Sequence, residues 1–187
     1  VGRAGGVGEW NKKQPRARAA LGRLWKRLPY PLVQCDLDTF MPGVPLFEES
    51  RPRQQLPFQY SVHIQRAPGA APEHREYLAD GKGDPREALV QQLLRDLGTQ
   101  GDILAYHASF ERLRLKELAR DFPAYAPALE LLLPRIKDLE RPFHAGWYYV
   151  PAMRGRTSIK VVLPALVPAL SYADLNVQEG STASLLF

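Results

Sequence analysis

The sequence has very little cysteine: Cys35 is the single one among 187 residues. This excludes a disulfide framework within the chain and a zinc site built from several cysteines, and it favours a reducing, cytoplasmic setting. No run approaches the roughly 20 apolar residues that span a bilayer, which excludes a transmembrane protein. The sequence shows no positively charged stretch followed by an apolar run, the pattern of a secretory signal peptide. Because the chain starts at Val1 rather than Met, we expect a fragment of a longer protein.

Acidic residues are almost missing from residues 1–30, which carry eight basic side chains and only Glu9 as an acid. The rest of the chain is nearly neutral, so this segment accounts for the net charge of +5. We interpret 1–30 as a basic segment or linker, either solvated or continuous with an upstream domain of the same polypeptide. Contact with nucleic-acid phosphates is the alternative. A short basic helix is expected over 16–28.

Hydrophobic patterning over residues 31–187 predicts one α/β domain, a mixed sheet flanked by helices. Strands are predicted over 32–40, 58–65, 74–78, 102–106 and 136–139, the second and third forming a hairpin. Four helices are predicted: from Asp84-Pro85 to Gly98, from Ser109 as its cap, over 124–133, and over 158–163 with Pro164 as its end. The second helix is expected to bury Phe110, Leu113, Leu115 and Leu118.

Two carboxylates lie close together on the first predicted strand. Asp36 and Asp38 are two residues apart, so both side chains point to one face of the strand, whereas Cys35 and Leu37 point to the other. Paired carboxylates in an apolar strand repel each other unless a cation lies between them, and hard ions such as Mg²⁺ or Mn²⁺ prefer oxygen ligands. A local cap or ion pair at the strand end is the alternative.

Further acidic candidates follow later strands. Glu111 is expected in the first turn of the helix after the fourth strand, where an acid also complements the helix dipole. Asp138 ends the fifth strand, and Asp174 lies in a Ser-Tyr-Ala-Asp sequence. Asp138 and Asp174 are equally typical of turn or cap residues.

The order of these motifs resembles a known superfamily. Asp36-Leu37-Asp38-Thr39-Phe40 is similar to the first motif of the DEDD-type 3′–5′ exonucleases, and the sequence from Leu104 to Glu111 is similar to their second. More closely, the run from Asp36 to Tyr172 resembles a bacterial domain family of unknown function assigned to that superfamily. The superfamily usually has Glu at position 38, Asn at 107 and Asp at 111.

The resemblance implies a ribonuclease-H-like fold and two-metal phosphodiester hydrolysis on DNA or RNA. Asp36, Asp38 and Glu111 would be the catalytic residues and the ligands of Mg²⁺ or Mn²⁺. Thr39, Phe40 and His107 would contact the substrate, although for His107 a hydrogen bond within its loop is the favoured role. The helix that carries the last metal ligand would lie beyond Phe187, so we expect a domain truncated at its C-terminus, with weak activity or none.

Two alternatives remain open. The first is a catalytically inactive nuclease-like module that binds nucleic acid or a partner domain, with Tyr60, Trp147, Tyr148 and Tyr149 as stacking surfaces, although such aromatics usually belong to a core. The second is a structural domain whose carboxylates share no site. Three histidines are too dispersed in sequence to suggest a ligand set and are interpreted as ordinary polar residues: His63, His74 and His144. Cys35 is expected in the core.

Overall fold

A five-stranded mixed sheet forms the centre of the fold. The structure, a computed structural model, describes Gly22 and residues 28–170. The strands are β1 (Leu32–Phe40), β2 (Leu56–Gln65), β3 (Glu73–Leu78), β4 (Asp102–Ala105) and β5 (Ile136–Asp138). They lie in the order β3-β2-β1-β4-β5. Each of the five predicted strands is present, with bounds that differ by at most two residues.

The direction of the strands divides the sheet into two parts. β1 pairs with β2, and β2 with β3, in antiparallel fashion, which confirms the predicted hairpin. On its other side β1 pairs with β4, and β4 with β5, in parallel fashion. The carboxyl ends of β1, β4 and β5 therefore meet at one edge of the sheet.

Three helices pack on one face of this sheet: α1 (Arg86–Leu97), α2 (Ser109–Asp121) and α3 (Ala126–Leu132). Short 3₁₀ turns, Pro123–Tyr125 and Leu133–Arg135, flank α3. The core comprises alternate residues of the strands, such as Val33, Cys35 and Leu37 of β1, with the leucine-rich faces of the helices. The burial of Cys35 is confirmed. The domain is thus the predicted α/β fold, a mixed sheet flanked by helices.

Three local predictions were wrong. Ser109 does not cap α2: it is the first helical residue, and Ala108, which has no side chain able to cap, occupies the cap position. Leu113 is half exposed because it lies on the outer face of α2. It is two residues from Leu115 and five from Leu118, whereas residues three or four apart share a helix face. Pro164 does not end the last helix, α5 (Ile159–Leu166), but lies inside it at the loss of one backbone hydrogen bond.

Residues 29–138 form one compact unit, and the described residues from 139 to 170 belong to a second. The second unit contains α4 (Arg141–His144), a 3₁₀ turn over Pro151–Met153 and α5. The predicted basic helix over 16–28 and Asp174 lie essentially outside the described residues. Within the described part of the chain, no helix combines the length and the apolar character needed to cross a membrane.

Candidate active site

The candidate site lies at the edge where β1, β4 and β5 end. Gln34 of β1 pairs with Leu104 of β4, and Ala105 of β4 pairs with Asp138 of β5. Asp36 and Asp38 therefore lie beyond the last residue of β1 that pairs with β4, although both still pair with β2. Helix α2 begins a few residues after β4. Crevices outside the carboxyl ends of parallel strands are where ligands bind in open α/β sheets.

Asp36 and Asp38 share one face of β1, as predicted. Cys35 and Leu37 are buried, whereas Asp36 is exposed and Asp38 half-buried. Although Asp36 keeps access to solvent, the surrounding protein displaces part of its hydration, and this desolvation raises the pKa of its carboxyl, with a further rise from the charge of Asp38. Burial also raises the pKa of the Asp38 carboxyl. Both groups are thus less ionised than in water.

Glu111 comes to the same edge from the first turn of α2. Its residue surface is only 4% exposed, and its Oε2 atom has no hydrogen-bond partner among the residues that the structure describes. Burial is the main reason why the pKa of Glu111 is raised to about 7, and the charges of Asp36 and Asp138 raise it further. The charge of His107 opposes this rise. The helix therefore brings Glu111 within electrostatic range of the strand carboxylates.

The turn between β4 and α2 is held by Asp138. His107 adopts a left-handed backbone conformation with φ of +64°, uncommon for a residue with a side chain. Its backbone N–H donates a hydrogen bond of 3.1 Å to Oδ1 of Asp138. Asp138 of β5 thus stabilises the turn that follows the neighbouring strand, β4. Its charge also raises the pKa of Glu111.

Thr39 and Phe40 lie just beyond the two aspartates, after an irregularity in the pairing of β1 with β2 between Asp38 and Thr39. Both residues are half-buried. The Phe40 ring makes edge contacts with Phe47 and Phe58, at centroid distances of 6.4 and 6.0 Å. Much of this ring is therefore used in packing, and substrate contact by either residue stays a prediction.

A ready-made metal centre is not present in the part of the chain that the structure describes. There, no group of three or more His, Cys, Asp or Glu side chains is arranged to hold an ion. The charge of Asp38 raises the pKa of Asp36, and the charge of Asp36 raises the pKa of Glu111. These three carboxylates are not gathered into a ligand set.

Comparison with family models places most of the described sequence in a protein family. A model described as a domain of unknown function (DUF2779) matches residues 33–158. The chain belongs to this family. The match begins in β1 and ends before α5, so the DUF2779 region contains Asp36, Asp38, His107, Glu111 and Asp138. Comparison with curated proteins and with solved structures gives no match.

One pair of residues in the DUF2779 domain was missed by the sequence analysis. His63 and His74, interpreted there as dispersed, are direct cross-strand partners on β2 and β3. Their rings are stacked with centroids 4.5 Å apart. The signal was only partial: both residues flank the predicted turn over 66–73, but its middle lies closer to His74 than to His63, so the register that pairs them came from the structure.

Replacing Glu111 with Gln should change how the stability of the DUF2779 domain depends on pH. Because the pKa of Glu111 is raised to about 7 in the folded state from about 4.3 in unfolded chains, the folded state binds more protons between these values. The free energy of unfolding therefore falls as pH rises through this window, by roughly 2–3 kcal/mol. Glu111→Gln should abolish this part of the decline, measured by urea denaturation at pH 5 and pH 8.

Glu130→Gln is the matched control, since Glu130 is exposed on α3. This variant should keep the pH profile of the original chain. Equal profiles for Glu111→Gln and the original chain would contradict the raised pKa of Glu111.

Proposed function

We propose that this domain is a metal-dependent phosphodiesterase, of the 3′–5′ exonuclease type, acting on nucleic acid. The observation that supports the proposal is a chain of neighbouring carboxylates from two separated segments: the charge of Asp36 raises the pKa of the buried Glu111 of α2, and the charge of Asp38 raises the pKa of Asp36 on β1. Burying like charges near one another is unfavourable. Such an arrangement is typical of a site that is completed by a cation.

The donor groups fit a hard divalent ion. All three are carboxylates, and one of them, Glu111, presents a buried oxygen without a hydrogen-bond partner among the described residues. Asp36, Asp38 and Glu111 would hold Mg²⁺ or Mn²⁺, ions that favour oxygen ligands. When bound, such ions lower the pKa of an attacking water and stabilise charge on the leaving oxygen of a phosphodiester.

The side chains have separate tasks in this proposal. Asp36 and Asp38, with access to solvent, present their carboxylates where a phosphodiester can approach. Glu111 is buried in the first turn of α2, and its carboxyl has to lose its proton before it can serve as a metal ligand. His107 is exposed, and its charge favours the ionised form of Glu111. The hydrogen bond from His107 to Asp138 fixes the turn that places Glu111.

Mn²⁺ should stabilise the chain against heat. A ligand at about 100 times its Kd adds roughly 2.7 kcal/mol, which corresponds to a rise in Tm of about 5–10 °C for a domain of this size. The rise should be larger at pH 8 than at pH 6, because the ligands bind the ion in their ionised form. Asp36→Asn and Asp38→Asn should each remove most of it, measured by differential scanning calorimetry.

Asp80→Asn serves as the control, since Asp80 is an exposed turn residue whose carboxylate accepts a hydrogen bond from the Lys82 N–H. Its Mn²⁺ response should equal that of the original chain. An absent Mn²⁺ response, or one that survives in both Asp36→Asn and Asp38→Asn, contradicts the proposal.

The catalytic part is tested with single-stranded DNA and RNA oligonucleotides that have either a free or a blocked 3′ end. Slow Mn²⁺-dependent release of mononucleotides from free 3′ ends, lost in Asp36→Asn, is the expected result. Stabilisation by Mn²⁺ without any cleavage would instead indicate the inactive nuclease-like module. Binding of the same oligonucleotides would then be measured by fluorescence anisotropy.

A further inference from the structure

Two histidines lie side by side on the β2–β3 hairpin, on the face of the sheet that also carries Asp36, which pairs with the neighbouring Ser61. The strand register places His63 directly opposite His74. Directly opposite residues of an antiparallel pair point to the same face of the sheet. The two imidazole rings are stacked, with centroids 4.5 Å apart and ring planes inclined by 22°.

The surroundings of this pair are polar and open to solvent. The His74 side chain is 45% exposed, and its Nε2 atom lies 3.9 Å from Oε2 of Glu76, a side chain that is 72% exposed. The Ser61 hydroxyl is 3.1 Å from the same nitrogen. The neighbouring cross-strand pair on this face is Ser61 with Glu76. An ion could therefore reach the imidazoles without crossing the core, and it could keep water in its remaining coordination positions.

We propose that His63 and His74 form a two-histidine site for a divalent transition-metal ion such as Ni²⁺, Cu²⁺ or Zn²⁺. Imidazole nitrogen suits these ions, whereas Mg²⁺ and Ca²⁺ prefer oxygen. Metal–nitrogen bonds of about 2.0–2.1 Å place the two ligating nitrogens of a chelate roughly 3 Å apart. Because the lone pair of an imidazole nitrogen lies in the ring plane, both rings would turn out of their stacked arrangement to point at one ion, and the exposure of His74 leaves room for this.

The site is limited to two protein ligands. Across the described residues, no set of three His, Cys, Asp or Glu side chains is arranged around an ion, so Glu76 is a neighbour rather than a ligand. The proposal does not depend on the phosphodiesterase, because it concerns other residues and another class of ion. Binding at the hairpin would tie β3, the edge strand of the sheet, to β2.

The test is a calorimetric titration of the whole chain with Ni²⁺, with Mg²⁺ in excess to occupy carboxylate sites. One Ni²⁺ per chain is expected. His63→Asn and His74→Asn should each lower the affinity by about 10–100-fold, because the second imidazole then no longer acts at the high effective concentration of a linked group. His144→Asn, which removes an exposed histidine of the other unit, should leave the affinity unchanged.

A measurement on the original chain keeps the test independent of how the variants fold. Paramagnetic Ni²⁺ should first broaden the imidazole C–H proton signals of His63 and His74 in the NMR spectrum. Unchanged affinity in both His63→Asn and His74→Asn, or earlier broadening of the His107 or His144 signals, would overturn the proposal.

Discussion

Replacing Arg86 with Met should lower the free energy of unfolding by about 3–5 kcal/mol, the usual result of removing one partner from a buried ion pair. Arg86 is 1% exposed. Its Nη2 atom donates to Oδ2 of Asp84 at 2.6 Å and to the backbone oxygen of Glu48 at 2.9 Å, and its Nη1 atom donates to Oδ2 of Asp121 at 3.2 Å. The guanidinium also lies over the Phe122 ring, 5.1 Å from its centroid.

The cost is large because Asp121 would lose its buried cation and keep only the more exposed Arg51 and Arg120 as charged partners. Asp121, with a side chain that is 3% exposed, would keep the Gln54 amide as its buried partner. Arg86 also joins the segment after β1 to the first turn of α1 and the end of α2. Since that segment follows directly after Asp38, Thr39 and Phe40, we expect Arg86→Met to loosen the candidate site as well.

Arg120→Met is the matched control, measured in parallel by urea denaturation. Arg120 pairs with the same acid, its Nε atom 3.0 Å from Oδ1 of Asp121, but its side chain is 46% exposed. Exposed ion pairs contribute about 0–1 kcal/mol. Losses of similar size in the two variants would show that burial of Arg86 is not what makes this pair important.

Gly101→Ala should destabilise the fold by about 2–5 kcal/mol. Gly101 has φ of +79°, and an added Cβ atom would lie 1.9 Å from the backbone oxygen of Pro31. The left-handed conformation costs roughly 1–2 kcal/mol for a residue with a side chain, and overpacking costs typically a further 1–3 kcal/mol. Relief would require β1 and β4 to separate, because these two residues directly precede the paired Leu32 and Asp102.

Gly69→Ala separates the two causes. Gly69 has nearly the same φ, +77°, but no atom lies within 4 Å of its added Cβ position. Its cost should therefore be that of the backbone conformation alone, about 1–2 kcal/mol. Both variants are measured by chemical denaturation, and equal losses would rule out the contact with Pro31 as the cause.

The strands were predictable from local sequence because their patterns depend on burial alone. β1 and β2 alternate in burial nearly as their side chains alternate in polarity. The helix ends were less predictable, since tertiary packing decided them: α2 begins without a side-chain cap, and Pro164 is accommodated within α5.

Part of the candidate site could be predicted from the sequence for the same reason. The spacing of Asp36 and Asp38 guarantees a common face on any strand. The proximity of Glu111 to them depends on β4 lying beside β1, a pairing between segments far apart in sequence. The role of Asp138 in holding the His107 turn depends in turn on β5 lying beside β4.

The amino-acid sequence alone thus determined the α/β class, the strands and the shared face of two aspartates, because these follow from side-chain polarity and from the period of a strand. Only the tertiary structure decided that Glu111 is buried near Asp36, with its pKa raised to about 7, and that His63 stacks on His74. Burial and cross-strand contact are properties of the folded chain, since the atoms that remove water or provide a partner come from other segments.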